Sequence, residues 1–386
     1  MTVNEAARPN FLRPTLVITT LVAVLGLLFG VPWWTLVAAA DWPAPASGIG
    51  SVVFGAAVVG LPVLMFLGHG RGNDRAARTG DTLLGVVWVL FAWSLIGNAL
   101  RLVLSASGVD QPARVSACAV IATSGVLLVW GYFEAMRVPR VKEVRITLPR
   151  LGRGLDGTRV VLLTDTHYGP IDRAGWSAKV TAAVNELDAD IVCHTGDIAD
   201  GTVERRREQA APLEAIKARL ARVYVTGNHE YFGDAIGWLD HMRHLGWEPL
   251  HNHHVVVERG GDRLVIAGID DATAHHSGHP GHRADLATAL TGADPSLPVL
   301  LLAHQPKQIG QAEAADVDLQ ISGHTHGGQI WPFNYLVRLD QPAVAGLSRR
   351  TDRTQLYTSR GTGFWGPPFR IFAPSEITLI TLHAPA

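Results

Sequence analysis

Val317-Asp-Leu-Gln-Ile-Ser-Gly-His-Thr-His-Gly-Gly-Gln329 is a short apolar run that ends in chemistry. After the run Val317 to Ile321, His324 and His326 stand one residue apart on a glycine-bounded turn, so both can point into one small space. Histidine is the commonest metal ligand near neutral pH, and glycine lets backbone come close to an ion or a phosphate. Gly327 and Gly328 therefore read as room for a phosphate. A lone His-x-His is also common on protein surfaces, so the metal reading has to be supported from elsewhere in the chain.

That support lies upstream. From residue 156 onward, short β-rich runs alternate with stretches of helical length. Strands are expected at Arg159 to Thr164, Ile191 to Thr195, Val223 to Thr226, Leu264 to Ile269, Val299 to Ala303, Leu319 to Ser322, Gln355 to Thr358 and Ile377 to Leu382. Helices are expected at Ala174 to Leu187, Glu204 to Leu220, Ala235 to Leu245 and Arg283 to Leu290. This is an α/β layered domain on one or two sheets. Five of the strands run into polar residues: Asp165-Thr166-His167, Gly196-Asp197, Gly227-Asn228-His229-Glu230, His304, and the opening motif. The carboxyl ends of strands are where α/β folds gather their sites.

The first 136 residues differ in character. Four apolar stretches, Leu16 to Ala40, Ile49 to Leu67, Thr82 to Leu104 and Val115 to Phe133, each approach the ~20 residues that a helix needs to cross a hydrocarbon core. Pro32 and Pro62 should kink the first two, and Trp33, Trp34 and Trp42 suit an interface. No acid or histidine interrupts the stretches, which favours an anchor, or a dock for a lipid substrate, over an ion path. Arg8 and Arg13 precede span one, Arg71, Arg75 and Arg78 lie between spans two and three, and Arg137, Arg140 and Lys142 follow span four. The opposite side offers only Arg114, so both termini and the large C-terminal domain are expected on the cytoplasmic face of the cell membrane. The organisation read is a four-helix transmembrane region over 1–136, a juxtamembrane connector with an edge-strand pattern over 137–155, and a soluble domain over 156–386.

With a formal net charge of -1 and no basic stripe interleaved with aromatics, no nucleic-acid partner is expected. Cys118 and Cys193 make no disulfide framework. Oligomeric state is not legible.

The donors at the strand ends are Asp165, His167, Asp197, Asn228, His304, His324 and His326, all offering oxygen or nitrogen. One divalent ion rarely needs more than six ligands, so seven imply two ions sharing one residue, and Asp197 is the isolated acid able to bridge. Mixed carboxylate and imidazole ligands suit Mn, Fe, Zn or Co without choosing among them. Two such ions about 3.5–4 Å apart clamp an in-line displacement at phosphorus and lower the pKa of a bridging water. The chemistry read is hydrolysis without a protein nucleophile.

This series, Asp-x-His, Gly-Asp, Gly-Asn-His-Glu, a lone His and Gly-His-Thr-His, resembles the calcineurin-like metallophosphoesterase superfamily in order and spacing. Gly323 to Gln329, with Ser359-Arg-Gly-Thr-Gly363 and Pro374-Ser-Glu-Ile377, is similar to the bacterial branch of the YkuE and YaeI kind. Ser375 departs from that branch's pattern, remote from the ligand motifs. The resemblance covers residues 138–386 and implies a double β-sheet sandwich flanked by helices. It implies that Asp165, His167 and His326 hold one metal and that Asn228, His304 and His324 hold the other, with Asp197 bridging. His229 would contact the phosphoryl group and act as general acid. The expected activity is a membrane-anchored, dinuclear hydrolysis of a phosphodiester or phosphomonoester, with a lipid or lipid-linked substrate as an option that the spans raise. The alternative is a metal-dependent ligand-binding or sensor membrane protein without turnover, which would have no use for an acid at His229.

Other polar groups are read as structural. Asp270 and Asp271 occupy a strand end without a slot in the ligand set, and His194 neighbours Gly196-Asp197. His275, His276, His279 and His282 fall in a Gly/Pro-rich stretch that reads as a mobile solvated loop, with a third metal site or a substrate gate as the alternative, and His251, His253 and His254 read as surface residues. Arg360 could aim at a phosphate. Trp331, Phe333, Phe364 and Trp365 read as core or as an apolar rim.

Overall fold

The computed structural model describes residues 12–385, with side chains from residue 17. Arg8 and the side chain of Arg13, both counted above toward orientation, lie outside the described residues. The chain divides into two compact units, Met1–Leu128 and Val129–Ala386.

The first unit is built from α1 (Leu12–Trp33), α2 (Ala44–Met65), α3 (Asp74–Ala106) and most of α4 (Pro112–Met136), whose last turns belong to the second unit. All four helices are long and apolar enough to cross a membrane. α1 and α2 each carry a proline and run past it into a wide five-residue turn, Trp34–Ala38 and Phe66–Gly70. A proline removes one helical N–H and crowds the carbonyl four residues back, which favours such opening over a straight continuation. The helices overrun the apolar stretches, and the overrun of α3 carries Asp81. It is buried and bonded to His69 Nε2 at 2.9 Å, so the ionisable pair missing from the stretches sits near the charged start of α3.

In the second unit the strands are β1 (Arg140–Thr147), β2 (Thr158–Leu163), β3 (Ile191–His194), β4 (Ala221–Tyr224), β5 (Glu248–Pro249) and β6 (His253–Arg259). They continue with β7 (Asp262–Gly268), β8 (Val299–Leu302), β9 (Leu319–Ser322), β10 (Gly346–Arg349), β11 (Gln355–Thr358) and β12 (Glu376–His383). They form two six-stranded sheets, ordered β1-β12-β2-β3-β4-β5 and β10-β11-β9-β8-β7-β6. β1, from the expected connector, is an edge strand paired in parallel with β12 along its full length.

Two-residue alternation explains the layering. Val160 and Leu162 of β2, Ile191 and Cys193 of β3, Leu264 and Ile266 of β7, and Leu300 and Leu302 of β8 meet in one core between the sheets. The intervening residues Val161, Leu163 and Val192 face outward onto α5 (Ala174–Asn185) and α8 (Ala235–His244) through Val180, Val184, Trp238 and Met242. On the far side, Val265, Ala267 and Leu301 pack on α9 (Leu286–Ala289) and α10 (Ile309–Ala314). A sheet buried on both faces has near-continuous apolar strands, which is why these runs were conspicuous in the sequence.

Two expected helices are shorter. Residues 204–220 form α6 (Val203–Ala210) and then a 3-10 turn, Ala211–Ala215. Pro212 cannot donate to an α-helical bond, so the helix ends there. The stretch 283–290 keeps only α9, whose start is set by the Asp285 carboxylate accepting from Thr288 N–H. The remaining helices are α7 (Asn228–Gly233) and α11 (Asn334–Val337).

Candidate metal centre

β2, β3 and β4 run parallel in one sheet, and β8 and β9 run parallel in the other. Their carboxyl ends deliver Asp165 and His167, Asp197, Asn228, His304, and His324 and His326 in turn. Five of these seven residues bend the chain through the left-handed region: Asp165 (φ 53°), His167 (43°), Asp197 (53°), His324 (68°) and His326 (51°). Residues other than glycine adopt this conformation rarely, at a cost of about 1–3 kcal/mol each, and such residues cluster where function requires them. Local hydrogen bonds hold the bends. His324 N–H donates to both oxygens of Asp165, at 2.9 and 3.1 Å, and His229 N–H donates to Asp197 Oδ1 at 2.9 Å.

The donor atoms gather in two nests. In one, His167 Nε2 is 3.1 Å from His326 Nε2, which is 3.4 Å from Asp165 Oδ1. In the other, His304 Nε2 lies 3.1 Å from Asn228 Oδ1 and 3.2 Å from His324 Nδ1. Asp197 Oδ2 sits between them, 3.5 Å from His167 Nε2 and 3.2 Å from His304 Nε2. Ligands about 2.0–2.2 Å from a tetrahedral ion are about 3.3–3.6 Å apart, so the spacing fits divalent cations. Asp165 with His167 and His326, and Asp197 with His304 and His324, could each hold one.

The profile of the calcineurin-like phosphoesterases matches residues 158–328, which include all five donor-bearing strand ends from Asp165 to His326. A transmembrane protein with metallophosphoesterase domain from Danio rerio is 39% identical over 309 residues, 77% of this chain and 70% of that protein. The chain belongs to the calcineurin-like metallophosphoesterase family. An uncharacterized metallophosphoesterase of Campylobacter jejuni is 32% identical, covering 76% of this chain and 78% of its own. YkuE of Bacillus subtilis, also named a metallophosphoesterase, is 28% identical over 66% of this chain and 90% of its own. This metallophosphoesterase is a metal-dependent phosphoester hydrolase, and the family uses divalent metals.

Around the metallophosphoesterase donors stand residues that the sequence did not single out. Asp200 Oδ1 lies 2.8 Å from His167 Nδ1 and 2.8 Å from His229 Nδ1. Glu230 is fully buried and accepts from the N–H groups of Asp197 (2.9 Å), Ile198 (2.8 Å) and Gly227 (2.7 Å). His304 Nδ1 donates to Thr195 O at 2.7 Å. Arg370, also buried, donates to His326 Nδ1 at 3.0 Å and to the carbonyls of His326 and Arg360 at 2.8 Å. A guanidinium only donates, so ligation through His326 Nε2 requires Arg370 to release Nδ1 and keep those carbonyls. The signals available for the first two were a second acid three residues after Asp197 and the acid closing Gly-Asn-His-Glu.

Charge in the metallophosphoesterase site is set by burial and by these facing groups. Burial alone would raise Asp197, but His304 and His229 hold its carboxyl well below the usual range. Burial would lower His304 and His229, yet Asp197 pushes the first up to about 10, and Asp197 with Asp200 pushes the second up to about 9. Burial and the facing His304 lower His324 to about 3, and burial and Arg370 lower His326 far below its ordinary value. Burial and the charge of Asp197 raise Glu230 to about 7, against the Gly227 N–H that donates to it.

The remaining expectations sort themselves by contact. Asp271 accepts from Gln305 Nε2 at 3.0 and 2.9 Å, beside His304, and His194 is a buried neutral ring bonded to Thr166 Oγ1 at 3.2 Å. Phe364 is core, whereas Trp365 is exposed with its ring 5.9 Å from that of His229. Gly327 and Gly328 do not leave room for a phosphate. A Cβ at Gly327 would meet Arg360 Cγ at 2.9 Å, and one at Gly328 would meet the Asn334 backbone at 2.4 Å. Their space is taken by neighbouring protein, and the Arg360 stem is thereby laid beside His326.

Proposed function

We propose that this domain hydrolyses a phosphodiester or phosphomonoester at two divalent ions. Asp165, His167 and His326 hold one, Asn228, His304 and His324 hold the other, and Asp197 reaches both. The observation that carries the reading is the position of Asp197 Oδ2 within 3.5 Å of donors from both nests. When bound, the ions supply an activated water and positive charge against the phosphoryl oxygens. The chain's own contribution is positional. Asp200 engages His229 Nδ1, leaving Nε2 to hand a proton to the leaving oxygen, while the His229 backbone N–H keeps Asp197 in place. Asp200 and Asp197 together favour the protonated ring that a general acid needs.

Phe232 and Trp365 are exposed, with rings 5.5 and 5.9 Å from that of His229. An apolar flank beside the acid, in a chain with four membrane-length helices, favours a leaving group or ester arm of lipid character. The four membrane-length helices support an integral membrane protein, and the arginines of their flanking loops favour a cytoplasmic catalytic domain.

His229→Ala is expected to keep its metal and lose about two to four orders of magnitude in kcat on an aryl phosphodiester. Asp197→Ala should lose both the metal of this centre and turnover. Unchanged turnover of metal-loaded His229→Ala would sink the assigned acid. A comparison of glycerophospholipid, nucleotide and cyclic-nucleotide hydrolysis by the detergent-solubilised protein tests the lipid preference.

A further inference from the structure

A second group of donors lies outside the seven. His251, Asp270 and His282, read separately in the sequence as surface, strand-end and loop residues, come together with one ligand atom from each within 4.8 Å of the others. Asp270 follows β7, the neighbour of β8, and is buried. Its Oδ1 lies 2.6 Å from His251 Nδ1, and the rings of His251 and His282 have centroids 4.3 Å apart. We propose that these three residues form a separate binding site for one borderline divalent cation of the Zn2+ type.

The surroundings are those of a built site. A metal-ligating histidine hands its other ring N–H to an oxygen acceptor, which fixes the ring. His282 Nδ1 lies 3.0 Å from Tyr231 Oη, leaving Nε2 for an ion. A ligating carboxylate is likewise held at its second oxygen: Asp270 Oδ2 accepts from Arg283 N–H at 3.1 Å and from Asn252 Nδ2 at 3.2 Å, which leaves Oδ1 to the histidines. Ligand atoms on a tetrahedral ion are about 3.3 Å apart, so the widest pair, within 4.8 Å, must close by up to about 1.5 Å and the 2.6 Å His251–Asp270 pair must open slightly. His282 can supply that movement, because it ends the Gly- and Pro-containing segment Ser277-Gly-His-Pro-Gly-His282. Two imidazoles and one carboxylate select Zn, Co, Ni or Cu over Mg or Ca. The arrangement of three protein ligands with a fourth position open to solvent is a common one for zinc. An ion there would tie the loop that holds His282 to α7 through Tyr231, two residues beyond His229.

The test uses the full-length protein in detergent, equilibrated with Zn2+, desalted and assayed for zinc per chain by plasma mass spectrometry. Wild type should hold one equivalent more than His282→Ala and one more than Asp270→Asn. Reading the difference makes the result independent of how many ions the main centre holds, and Asp197→Ala should retain this equivalent. Because Asp270 is buried, His282→Gln is the companion variant: it should lose the same equivalent with an unchanged thermal transition before zinc is added. With Co2+, wild type should show a tetrahedral visible band that both His282 variants lack. Equal zinc content in wild type and both His282 variants, or loss of this equivalent in Asp197→Ala, would overturn the site.

Discussion

Asp200 contributes to the centre through another residue. One carboxylate oxygen holds both His167 and His229 by Nδ1, at 2.8 Å each, so it orients a proposed ligand and the proposed acid together. Burial would raise its pKa, but His167 and His229 hold it far below the ordinary carboxyl value, so it stays charged. Asp200→Asn keeps the shape and removes the charge. Losing an outer partner of this kind costs about 10–100-fold in metal affinity or activity. We expect kcat on an aryl phosphodiester to fall by about that factor even at saturating Mn2+, with KM little changed, and metal titration should show weaker uptake. A loss confined to KM would remove Asp200 from this role. The seven donors were legible because buried parallel strands are apolar runs, and a polar residue at their ends stands out. Asp200 and Arg370 were not, because their meaning lies in a partner tens of residues away, and in Gly-Asp-Ile-Ala-Asp the second acid looks like any polar turn residue.

At the level of elements, α7 is fastened by Glu230 rather than by its own length. Three backbone N–H groups, two from the turn after β3 and one from the turn after β4, end on this carboxylate at 2.9 Å or less, with a longer contact from Ala199 N–H at 3.5 Å, and the carboxylate is fully buried. Glu230→Ala would leave all three donors without an acceptor. At about 1–3 kcal/mol for each buried unsatisfied group, the loss is about 3 kcal/mol or more. The expected outcome is a melting temperature lower by roughly 5–10 °C, together with reduced metal content, since Asp197 and Asn228 sit on the two turns that separate. Glu230→Gln keeps one acceptor oxygen and should fall between; equal melting of all three proteins would show that the turns are held otherwise. The strands with two buried faces were legible to within a residue or two. β6 was missed because only one of its residues is fully buried, so it lacks the apolar run, although Gly260-Gly261 between β6 and β7, both at positive φ, is the mark of a tight hairpin. The helix read through 204–220 failed for the opposite reason: composition was followed past Pro212.

For the whole molecule, the four long helices were plain from composition, because crossing ~30 Å of hydrocarbon demands a length of apolar chain that no other purpose commonly requires. The pairing of twelve strands into two sheets was not plain, since β1 joins β12 across more than two hundred residues and only packing decides that partnership. Orientation is the property of the whole chain that its loops bear on. Arg71 and Arg75 flank the short turn between α2 and α3, with Arg78 one turn into α3, and Arg137 and Arg140 close α4 with Glu134 between them, Arg140 holding its carboxylate. On the other side, Arg114 is drawn back onto the chain, with its Nε donating to Ala40 O at 3.3 Å and its guanidinium 5.1 Å from the centre of the Trp42 ring. Arginines that flank short loops resist translocation, so the proposed orientation, with the α2–α3 turn and the segment after α4 in the cytoplasm, makes a direct prediction. A fluorescent protein fused at the C-terminus should therefore fluoresce in a bacterial host, and an alkaline phosphatase fused there should be inactive. A phosphatase inserted between α3 and α4 should be active. Changing Arg71, Arg75 and Arg78 together to Asn should shift the reporters toward mixed signals, and active phosphatase at the C-terminus of the unaltered chain would place the catalytic domain on the opposite face.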